Sequence, residues 1–381
     1  MLCDLLLDRI KGVLILLKRK PWNDNNRTYY PECARKKSRT RIFLDELYIV
    51  LKYGHYEPYY YLYGFDREEI TIKQINNDYI VPITDFQKKQ LYANTHIKGY
   101  VLPGRVIVAD KFYFNLLLEK LNVPTPHLFC YIHNKQVLFM DDNYCSGDQL
   151  STEEKLSFFL THDMDAFCKP SCGEAGDGVF SLKVTNRVIF IDGNRTNENT
   201  VIEKLLSKNY IIQEKIHQHE RLNALCGTCV NTIRIQTVKG EHGDIVPFGA
   251  GLRIGRSGST IDNWAKGGIF VGIDMTKGCL MDKGFYTPKS GSSVMQHPDS
   301  LIVFKDYEVP YFSETVQLVT RVHQLLYRMH SIGWDIAITP DGPVIIEGNS
   351  SWDMSLIQAA HGGLKKQIGA FFIYNLFKSG R

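Results

Sequence analysis

Apolar and polar positions alternate near the end of the chain in a way that predicts a β-hairpin. Residues 335–338 alternate polar with apolar, as a half-buried strand does, and residues 344–347 are rich in β-branched side chains. Between them, residues 339–343 have the composition of a tight turn, in which Gly342 can adopt a positive φ. The pattern therefore predicts two antiparallel strands joined by a turn.

Longer periodic segments predict helices. Four segments have the apolar pattern of a helix, namely 1–17, 111–121, 314–330 and 357–377. Asp110 stands where the N-cap of the second helix is expected, because its carboxylate can accept hydrogen bonds from backbone N–H groups. The short apolar run 106–109, just before it, predicts a buried strand.

A glycine-rich segment follows a predicted strand in the middle of the chain. Residues 165–170 predict a strand with Lys169 near its end, and apolar alternation resumes at Phe180. Glycines let backbone N–H groups approach phosphate oxygens closely, and a lysine adds positive charge. A glycine-rich turn without a ligand is the alternative. A Walker A loop is excluded, because no Gly-Lys-Ser/Thr opens a helix here.

The predicted hairpin carries candidate metal ligands. Glu347 and Asn349 are two residues apart, so on an extended strand they face the same way. The hairpin brings Asp335 alongside them. Three oxygen-bearing side chains, two of them anionic, suit Mg²⁺, which leaves its other positions to water and phosphate. The alternative is an ordinary hairpin with solvated polar ends.

Two arginines lie on predicted strands that lead towards this hairpin. Arg234 lies in the predicted strand 231–235, on the same face as Thr232, and Arg253 follows in an Arg-Ile-Gly string. Guanidinium groups match the geometry of phosphate and carboxylate groups. The alternative is a structural role, in which each arginine pairs with a buried carboxylate.

In this order the motifs resemble those of the ATP-grasp superfamily. Asp335, a hairpin and then Glu347-Gly348-Asn349 is similar to its metal-binding signature, and the strand, Lys169 and glycine loop are similar to its lid. The Asn-Thr-Ile-Arg, Arg-Ile-Gly and Asp-Asn-x-x-x-Gly-Gly strings resemble most closely its sugar-transfer-associated branch. The motifs extend from Asp110 to Asp353, about two thirds of the chain.

The resemblance implies an α+β ATP-grasp fold. In it, the nucleotide lies between a small glycine-loop lid subdomain and a larger antiparallel-sheet subdomain, after a helical and aromatic-rich N-terminal region. The expected divisions are a basic, aromatic-rich region, a pre-ATP-grasp segment, the lid, and the C-terminal subdomain with the metal site, at residues 1–100, 101–165, 166–216 and 217–381.

The resemblance also implies roles for individual residues. The expected ATP contacts are Lys111, Lys169, Ser171, Gly173, Gly176, Gly178, Glu214, Lys215, Ile216, Glu220 and Asn223. Of these, Glu214, Lys215 and Ile216 are expected at the adenine ring, and either Glu220 or Asn223 at the ribose. The expected Mg²⁺ ligands are Asp335, Glu347 and Asn349. Arg253 is assigned to the γ-phosphate and the acyl-phosphate intermediate, and Arg234 to an acidic substrate or a phosphate. The acceptor pocket is expected to include Asn231, Asn263, Gly267 and Gly268.

The activity implied is that of an ADP-forming carboxylate–amine ligase, which makes an amide through an acyl phosphate. The branch implies a setting in surface polysaccharide, with a sugar-acid or other small carboxylate and an amine as substrates. A phosphotransferase acting on a hydroxyl, an amino-acid or peptide ligase unrelated to sugars, and a non-catalytic ATP-binding protein are the alternatives.

The amino-acid composition indicates the class of protein and the cellular compartment. Apolar residues make up 44% and charged residues 23% of the 381 residues, as in an ordinary globular protein. Nine irregularly spaced cysteines, with no secretory leader and no apolar run of membrane-spanning length, predict a soluble cytoplasmic protein. Cys226 and Cys229 have the spacing of a redox dithiol, but no thioredoxin-like pattern surrounds them and no role is assigned to them.

Positive charge is concentrated at the N-terminus. Residues 1–41 contain eleven Lys and Arg against four acidic residues, a net +7, whereas the whole chain carries +4. The predicted helix 1–17 either packs on its own domain or lies on an anionic membrane surface. The aromatic-rich segment 48–63 is interpreted as core packing rather than a nucleic-acid site, because alternating positive charges are absent from it. Nucleic acid is therefore not expected as a partner, and the oligomeric state is left open.

Overall fold

Two antiparallel sheets of seven strands each form the framework of the protein. The structure is a computed structural model. It describes residues 2–19, 29–83, 86–87, 90, 96–97, 100–101, 103–144, 150–172, 177–240, 242–259, 261–287, 290–326 and 329–368.

The helices are α1 (Leu2–Arg19), α2 (Arg39–Tyr53), α3 (Ile72–Asp78), α4 (Pro103–Ala109), α5 (Lys111–Lys120), α6 (Thr152–Phe159), α7 (Glu198–Leu206), α8 (Glu220–Leu225), α9 (Phe312–Leu325) and α10 (Ser355–His361). The strands are β1 (His96–Ile97), β2 (Tyr100–Val101), β3 (Leu128–His133), β4 (Gln136–Phe139), β5 (Met164–Pro170), β6 (Phe180–Thr185), β7 (Val188–Ile191), β8 (Asn194–Thr196), β9 (Tyr210–Glu214), β10 (Ile233–Lys239), β11 (Ile245–Ile254), β12 (Ile269–Ile273), β13 (Leu280–Phe285), β14 (Ser293–Val294), β15 (Ser331–Thr339) and β16 (Gly342–Asn349).

The first sheet, called the lid sheet below, has the strand order β4-β3-β9-β5-β6-β7-β8. Strand β6 buries every second side chain, because one face of the sheet packs on a core that includes Phe159, Val201 and Leu205 of helices α6 and α7. The other face lies on the side of Tyr131 and Phe112, whose rings stack with centroids 4.1 Å apart. That contact joins the lid sheet to α5.

The second sheet, called the hairpin sheet below, has the order β14-β13-β12-β11-β10-β15-β16. Strand β15 is buried at all positions except the last, so both faces of the sheet are covered. Helix α9 packs on one face through residues such as Val319 and Val322. Residues of the N-terminal region, including Tyr60 and Phe65, share a core with α10 on the other side.

The predicted core role of the aromatic-rich segment is confirmed. Tyr60 and Tyr63 are buried, and each packs against Phe65, with ring centroids 5.5 and 5.3 Å apart. The cluster also includes Trp352, which follows β16 in the chain, and Trp264, which lies in the loop between β11 and β12. The N-terminal region therefore supports the hairpin sheet from one side.

Two sequence-based expectations need correction. Residues 106–109 were expected to form a strand but belong to helix α4, whose Val108 packs against the hairpin sheet. The expected boundary between residues 165 and 166 falls inside β5, and the lid sheet also includes β3 and β4. The error at residues 106–109 arises because a short apolar run does not reveal whether it packs as a strand or as one side of a helix.

The predicted helices are present with different bounds, and α1 extends to Arg19, two residues beyond the predicted end. The segment 314–330 corresponds to α9, which ends at Leu325. The segment 357–377 overlaps α10, which ends at His361, and residues 369–377 lie outside the described part of the chain. Among the described residues, none of the helices has the length and apolar character needed to cross a membrane.

Candidate active site

A row of charged side chains crosses three strands of the hairpin sheet. The β15–β16 register pairs Asp335 with Glu347, and the β10–β15 register pairs Arg234 with Asp335. Directly paired residues in an antiparallel sheet project from the same face. Backbone pairing alone therefore brings Arg234, Asp335 and Glu347 side by side, as the sequence pattern predicted for the two acids.

Both oxygens of Asp335 contact arginines. Arg253 Nη2 donates to Asp335 Oδ1 at 2.7 Å, and Arg234 Nη2 donates to Oδ2 at 3.0 Å. Arg234 Nε also lies 2.7 Å from Oδ1, but its N–H is not aimed at that oxygen, so Nη2 makes the hydrogen bond. The Asp335 side chain is only 5% exposed. This cluster is a buried ion triad that fixes both guanidinium groups.

Neighbouring charges shift the pKa of Glu347 and of Asp335. Burial alone would raise the pKa of Glu347, but contact with Asp335 and the positive charges of Lys111 and Arg253 lower it below its ordinary value. For Asp335, burial and the Glu347 charge raise the pKa, while Arg253 opposes them. Two carboxyl groups in one buried place disfavour double ionisation, and an added cation would relieve that cost.

Two lysines reach this row from the lid side. Lys111 begins α5, whose N-cap Asp110 accepts from Phe112 N at 2.9 Å, as predicted. The Lys111 backbone N–H donates to Ser171 O at 3.0 Å, which ties the helix to the start of the glycine loop. Burial lowers the pKa of Lys169 to about 8, with Glu347 opposing and Lys111 adding to that shift. Positive charge is thus gathered opposite Glu347.

The glycine loop is only partly described. Ser171 is buried, and its N–H donates to Asn209 O at 3.0 Å. Gly173 and Gly176 lie outside the described residues. Gly178 has φ +77°, and Lys266 Nζ donates to Asp177 Oδ1 at 2.8 Å. That ion pair connects the lid loop to the hairpin sheet's loop at 262–268.

The residues assigned to the adenine ring follow β9. Glu214 is exposed, and its N–H donates to His127 O at 2.8 Å. The Lys215 N–H donates to Asp165 O at 3.0 Å, and Lys215 Nζ lies 3.6 Å from Asp165 Oδ2. The N–H groups of Glu214 and Lys215 are therefore used within the protein. Ile216 is half-buried next to them.

The two residues assigned to ribose lie on α8. Glu220 is exposed in the first turn of this helix. Asn223 Nδ2 donates to Gln218 O at 3.0 Å, and its Oδ1 accepts from Gln218 Nε2 at 2.9 Å. The free carboxylate of Glu220 is thus more accessible to a ligand than the Asn223 amide.

Asn231 has the environment of a structural residue. It is fully buried, and its Nδ2 lies within hydrogen-bonding distance of Leu222 O at 2.9 Å and Cys226 O at 2.8 Å. Its Oδ1 accepts from Gly255 N at 3.1 Å. Because its amide is used within the protein, Asn231 holds the loop before β10 in place rather than offering a group to a substrate.

The remaining acceptor-pocket residues form a turn. Asn263 Oδ1 accepts from Ala265 N at 2.8 Å and caps a 3₁₀ turn at Trp264–Lys266. Gly267 ends that turn with φ +98°. A Cβ on Gly268 would lie 2.5 Å from Asp262 O, so a side chain there does not fit. The turn directs Lys266 towards the lid.

Sequence reasoning missed two buried side chains at the site. Asp262 accepts from Thr232 N at 2.9 Å, and its charge adds to that of Asp335 in raising the pKa of Arg253 against burial. Gln236 lies two residues after Arg234 and is fully buried, yet its amide makes no hydrogen bond within the part of the chain that the structure describes. In the sequence, the position of Gln236 two residues after Arg234 places both side chains on one face of the strand, and that spacing could have pointed to Gln236.

The carboxylates and the neighbouring amide fit a magnesium ion. Asp335, Glu347 and Asn349 supply hard oxygen atoms, and Asn349 Nδ2 donates to Glu347 Oε1 at 3.3 Å, which holds the two side chains together. Across residues 2–368, as far as they are described, no cluster of three or more His, Cys, Asp and Glu side chains suggests a different metal site. The assignment of Asp335, Glu347 and Asn349 as Mg²⁺ ligands therefore rests on the chemistry of their oxygen atoms and stays a prediction.

A family model matches most of the chain. The family model "Sugar-transfer associated ATP-grasp" matches residues 100–371, which is well over half of the chain. The chain therefore belongs to the sugar-transfer-associated ATP-grasp family. No curated protein matches it.

Three solved structures are among those similar to this chain. D-alanyl-alanine synthetase A from Vibrio cholerae O1 biovar eltor str. N16961 has 10% identity and a TM-score of 0.42, covering 72% of this chain and 66% of its own. An L-amino acid ligase from Bacillus licheniformis has 11% identity and a TM-score of 0.36, covering 67% and 43%. D-cycloserine synthetase DcsG has 12% identity and a TM-score of 0.37, covering 72% and 71%. This chain covers less than two thirds of the length of the first two of these proteins.

Proposed function

We propose that this protein is an ATP- and Mg²⁺-dependent ligase that joins a carboxylate to an amine and releases ADP. The observation that carries the proposal is the buried row of Arg234, Asp335 and Glu347, which faces Lys111 at the start of α5 and Lys169 of the lid. Positive and negative groups lie together there, as a site for a polyphosphate and its metal ion requires.

In the first step, a carboxylate oxygen of the substrate attacks the γ-phosphorus of ATP. The bond from that phosphorus to the bridging oxygen breaks, and ADP leaves with the electron pair. Negative charge is spread over the transferring phosphoryl group, so fixed cations stabilise the transition state. Arg253 is held in place by Asp335, and Lys111 and Lys169 approach from the lid.

Magnesium held by Asp335, Glu347 and Asn349 would neutralise further phosphate charge. In the second step, the amine nitrogen attacks the acyl carbon, phosphate leaves and the nitrogen loses a proton, which gives an amide. We assign Arg234 to the acidic substrate, because it lies beside Asp335 in the same row. No side chain of the protein needs to act as a nucleophile.

We assign the carboxylate to a sugar acid, such as a uronic acid, and the amine to an amino acid. Support for the sugar comes from the family's description alone. A phosphotransferase would instead give a stable phosphoester from an alcohol, and an amino-acid ligase would turn over with free amino acids and no sugar. The products of ATP turnover separate these three reactions.

Calorimetric titration of ATP with and without Mg²⁺ tests the nucleotide site. Wild type is expected to bind ATP only with Mg²⁺, and the Glu347→Ala/Asn349→Ala variant is expected to lose that binding. Asp341→Asn is the matched control, because Asp341 lies at the turn end of the same hairpin. If folded wild type does not bind, the proposal is wrong. If it binds, sugar acids and amines are screened for ADP release.

A further inference from the structure

Exposed apolar side chains are concentrated on the first helix. Along α1, Leu6, Leu7, Ile10, Leu14 and Leu17 are between 46% and 57% exposed. Most soluble proteins scatter such residues singly, so a continuous row of them indicates a contact surface. We call these five residues the leucine stripe.

The leucine stripe does not face the rest of the protein. The opposite side of α1 packs on α2, since Leu16 is buried and a Cβ on Gly12 would lie 2.6 Å from Gly54 O. At 100° per residue, the centre of the stripe lies on the opposite side of the helix from Gly12 and Leu16. Helix α1 therefore uses one side for α2 and leaves the stripe in solvent.

Helix α2 also has exposed apolar side chains. Leu44, Tyr48 and Leu51 follow one another at helical spacing and are 51%, 44% and 51% exposed. The two helices run antiparallel, because Val50 lies next to Gly12 and Gly54, four residues on, lies next to Asp8. On α2 these apolar residues lie about a quarter turn from the side that packs on α1, so they form a second exposed apolar patch.

Basic side chains border this apolar surface. Lys11 and Lys18 follow the leucine stripe around α1, and both are exposed. On α2, Arg41 is exposed and Lys52 Nζ lies 5.7 Å from the centre of the Tyr48 ring. An apolar row with lysines and arginines beside it is the arrangement of a helix that lies in an anionic lipid interface.

We propose that helix α1 docks on an anionic lipid bilayer, with the leucine stripe inserted at the level of the headgroups. Charge decides between this partner and a second copy of the chain. A symmetric contact between two copies would bring their lysines and arginines towards each other, whereas anionic lipid neutralises them. This proposal is independent of the proposed ligase activity.

The test is flotation of the full-length protein with vesicles of phosphatidylcholine, with and without phosphatidylglycerol. Wild type is expected to float with the mixed vesicles and to remain in solution with pure phosphatidylcholine. Ile10→Ser/Leu14→Ser is expected to lower binding to mixed vesicles at least about tenfold for each apolar side chain removed. Lys11→Gln/Lys18→Gln is expected to lower it about fivefold for each lysine.

Leu138→Ser/Leu325→Ser is the matched control, since these leucines are 54% and 52% exposed on other elements. It is expected to bind like wild type, and circular dichroism checks that every variant is folded. Equal binding by Ile10→Ser/Leu14→Ser and wild type would overturn the proposal. A concentration-dependent dimer in sedimentation, lost in that variant and without flotation, would assign the surface to a second copy instead.

Discussion

The charged row of the hairpin sheet and the glycine loop of the lid sheet face one site, but different forces hold them. Asp335 is 5% exposed and bonded to two arginines that are themselves fixed on paired strands. Across from it, Asp177 is 80% exposed and contacts the hairpin sheet through Lys266. Buried pairs resist solvent and salt, whereas exposed pairs contribute little.

The difference assigns different tasks to the two regions. The row is positioned before any ligand arrives, because the strand ladder sets its geometry. Asp177, in the described part of the loop, is joined to the hairpin sheet by an ion pair that solvent can replace, so we expect closure there to depend on the nucleotide. Changes in the row are therefore expected to affect stability and chemistry together, and changes in the loop mainly ATP affinity.

The largest effect is expected for Asp335→Asn. This change leaves Arg234 and Arg253 buried without their shared counter-charge, which should lower the free energy of unfolding by about 3–5 kcal/mol. ATP turnover should also be lost. Urea denaturation measures the first quantity, and ADP release measures the second.

Asp299→Asn is its control, because Asp299 pairs with Arg256 at 2.9 Å in a much more exposed place. The Asp299→Asn change should lower the free energy of unfolding by no more than about 1 kcal/mol. Similar losses in the two variants would show that the charged row is no more strongly fixed than a surface pair.

A second prediction concerns the support beneath the row. Burial lowers the pKa of His323 to about 4, and its Nδ1 lies 2.8 Å from Thr237 Oγ1, which also accepts from Trp334 next to Asp335. The unfolded chain binds a proton near pH 6.5 and the folded protein only near pH 4. The stability from neutral His323 is therefore present above pH 6.5 and should fall by about 3 kcal/mol as the pH drops to 4.

Urea denaturation of wild type and His323→Gln across this pH range tests the prediction. The difference in unfolding free energy between them should shrink as the solution becomes more acidic. A constant difference would mean that His323 does not titrate on unfolding.

A third prediction separates the loop's geometry from its role. Gly178 in the lid loop and Gly193 in the β7–β8 turn share φ +77°. Alanine at either position should lower the free energy of unfolding by about 1–2 kcal/mol. Only Gly178→Ala should raise the KM for ATP, by about tenfold. Equal KM values for both variants would remove Gly178 from the nucleotide site.

The hairpin and its acids were predictable because their arrangement is local. Alternation and one turn fix the register of β15 and β16, and that register pairs Asp335 with Glu347. The N-cap at Asp110 was predictable for the same reason, since it concerns the residues that follow directly.

The side chains that sequence reasoning missed depend on contacts between distant segments. Asp262 reaches Thr232 from a loop thirty residues away, and Gln236 is buried where β10 pairs with β15, a strand almost one hundred residues later in the chain. Similarly, only packing against the hairpin sheet explains why residues 106–109 form part of a helix rather than a strand. A local pattern contains no information about which segment covers it.

The smallest effect is expected for Lys266→Ala, which removes the ion pair between the loop and the hairpin sheet. Because the Asp177 side chain is 80% exposed, the free energy of unfolding should not change measurably. The Kd for ATP should rise about threefold, and raising the salt concentration should narrow the gap to wild type. Lys305→Ala, which removes the exposed Lys305–Asp282 pair, is the matched control and should leave that Kd unchanged. If both variants bind ATP as wild type does, the pair does not assist closure, and the loop must be held by the nucleotide alone.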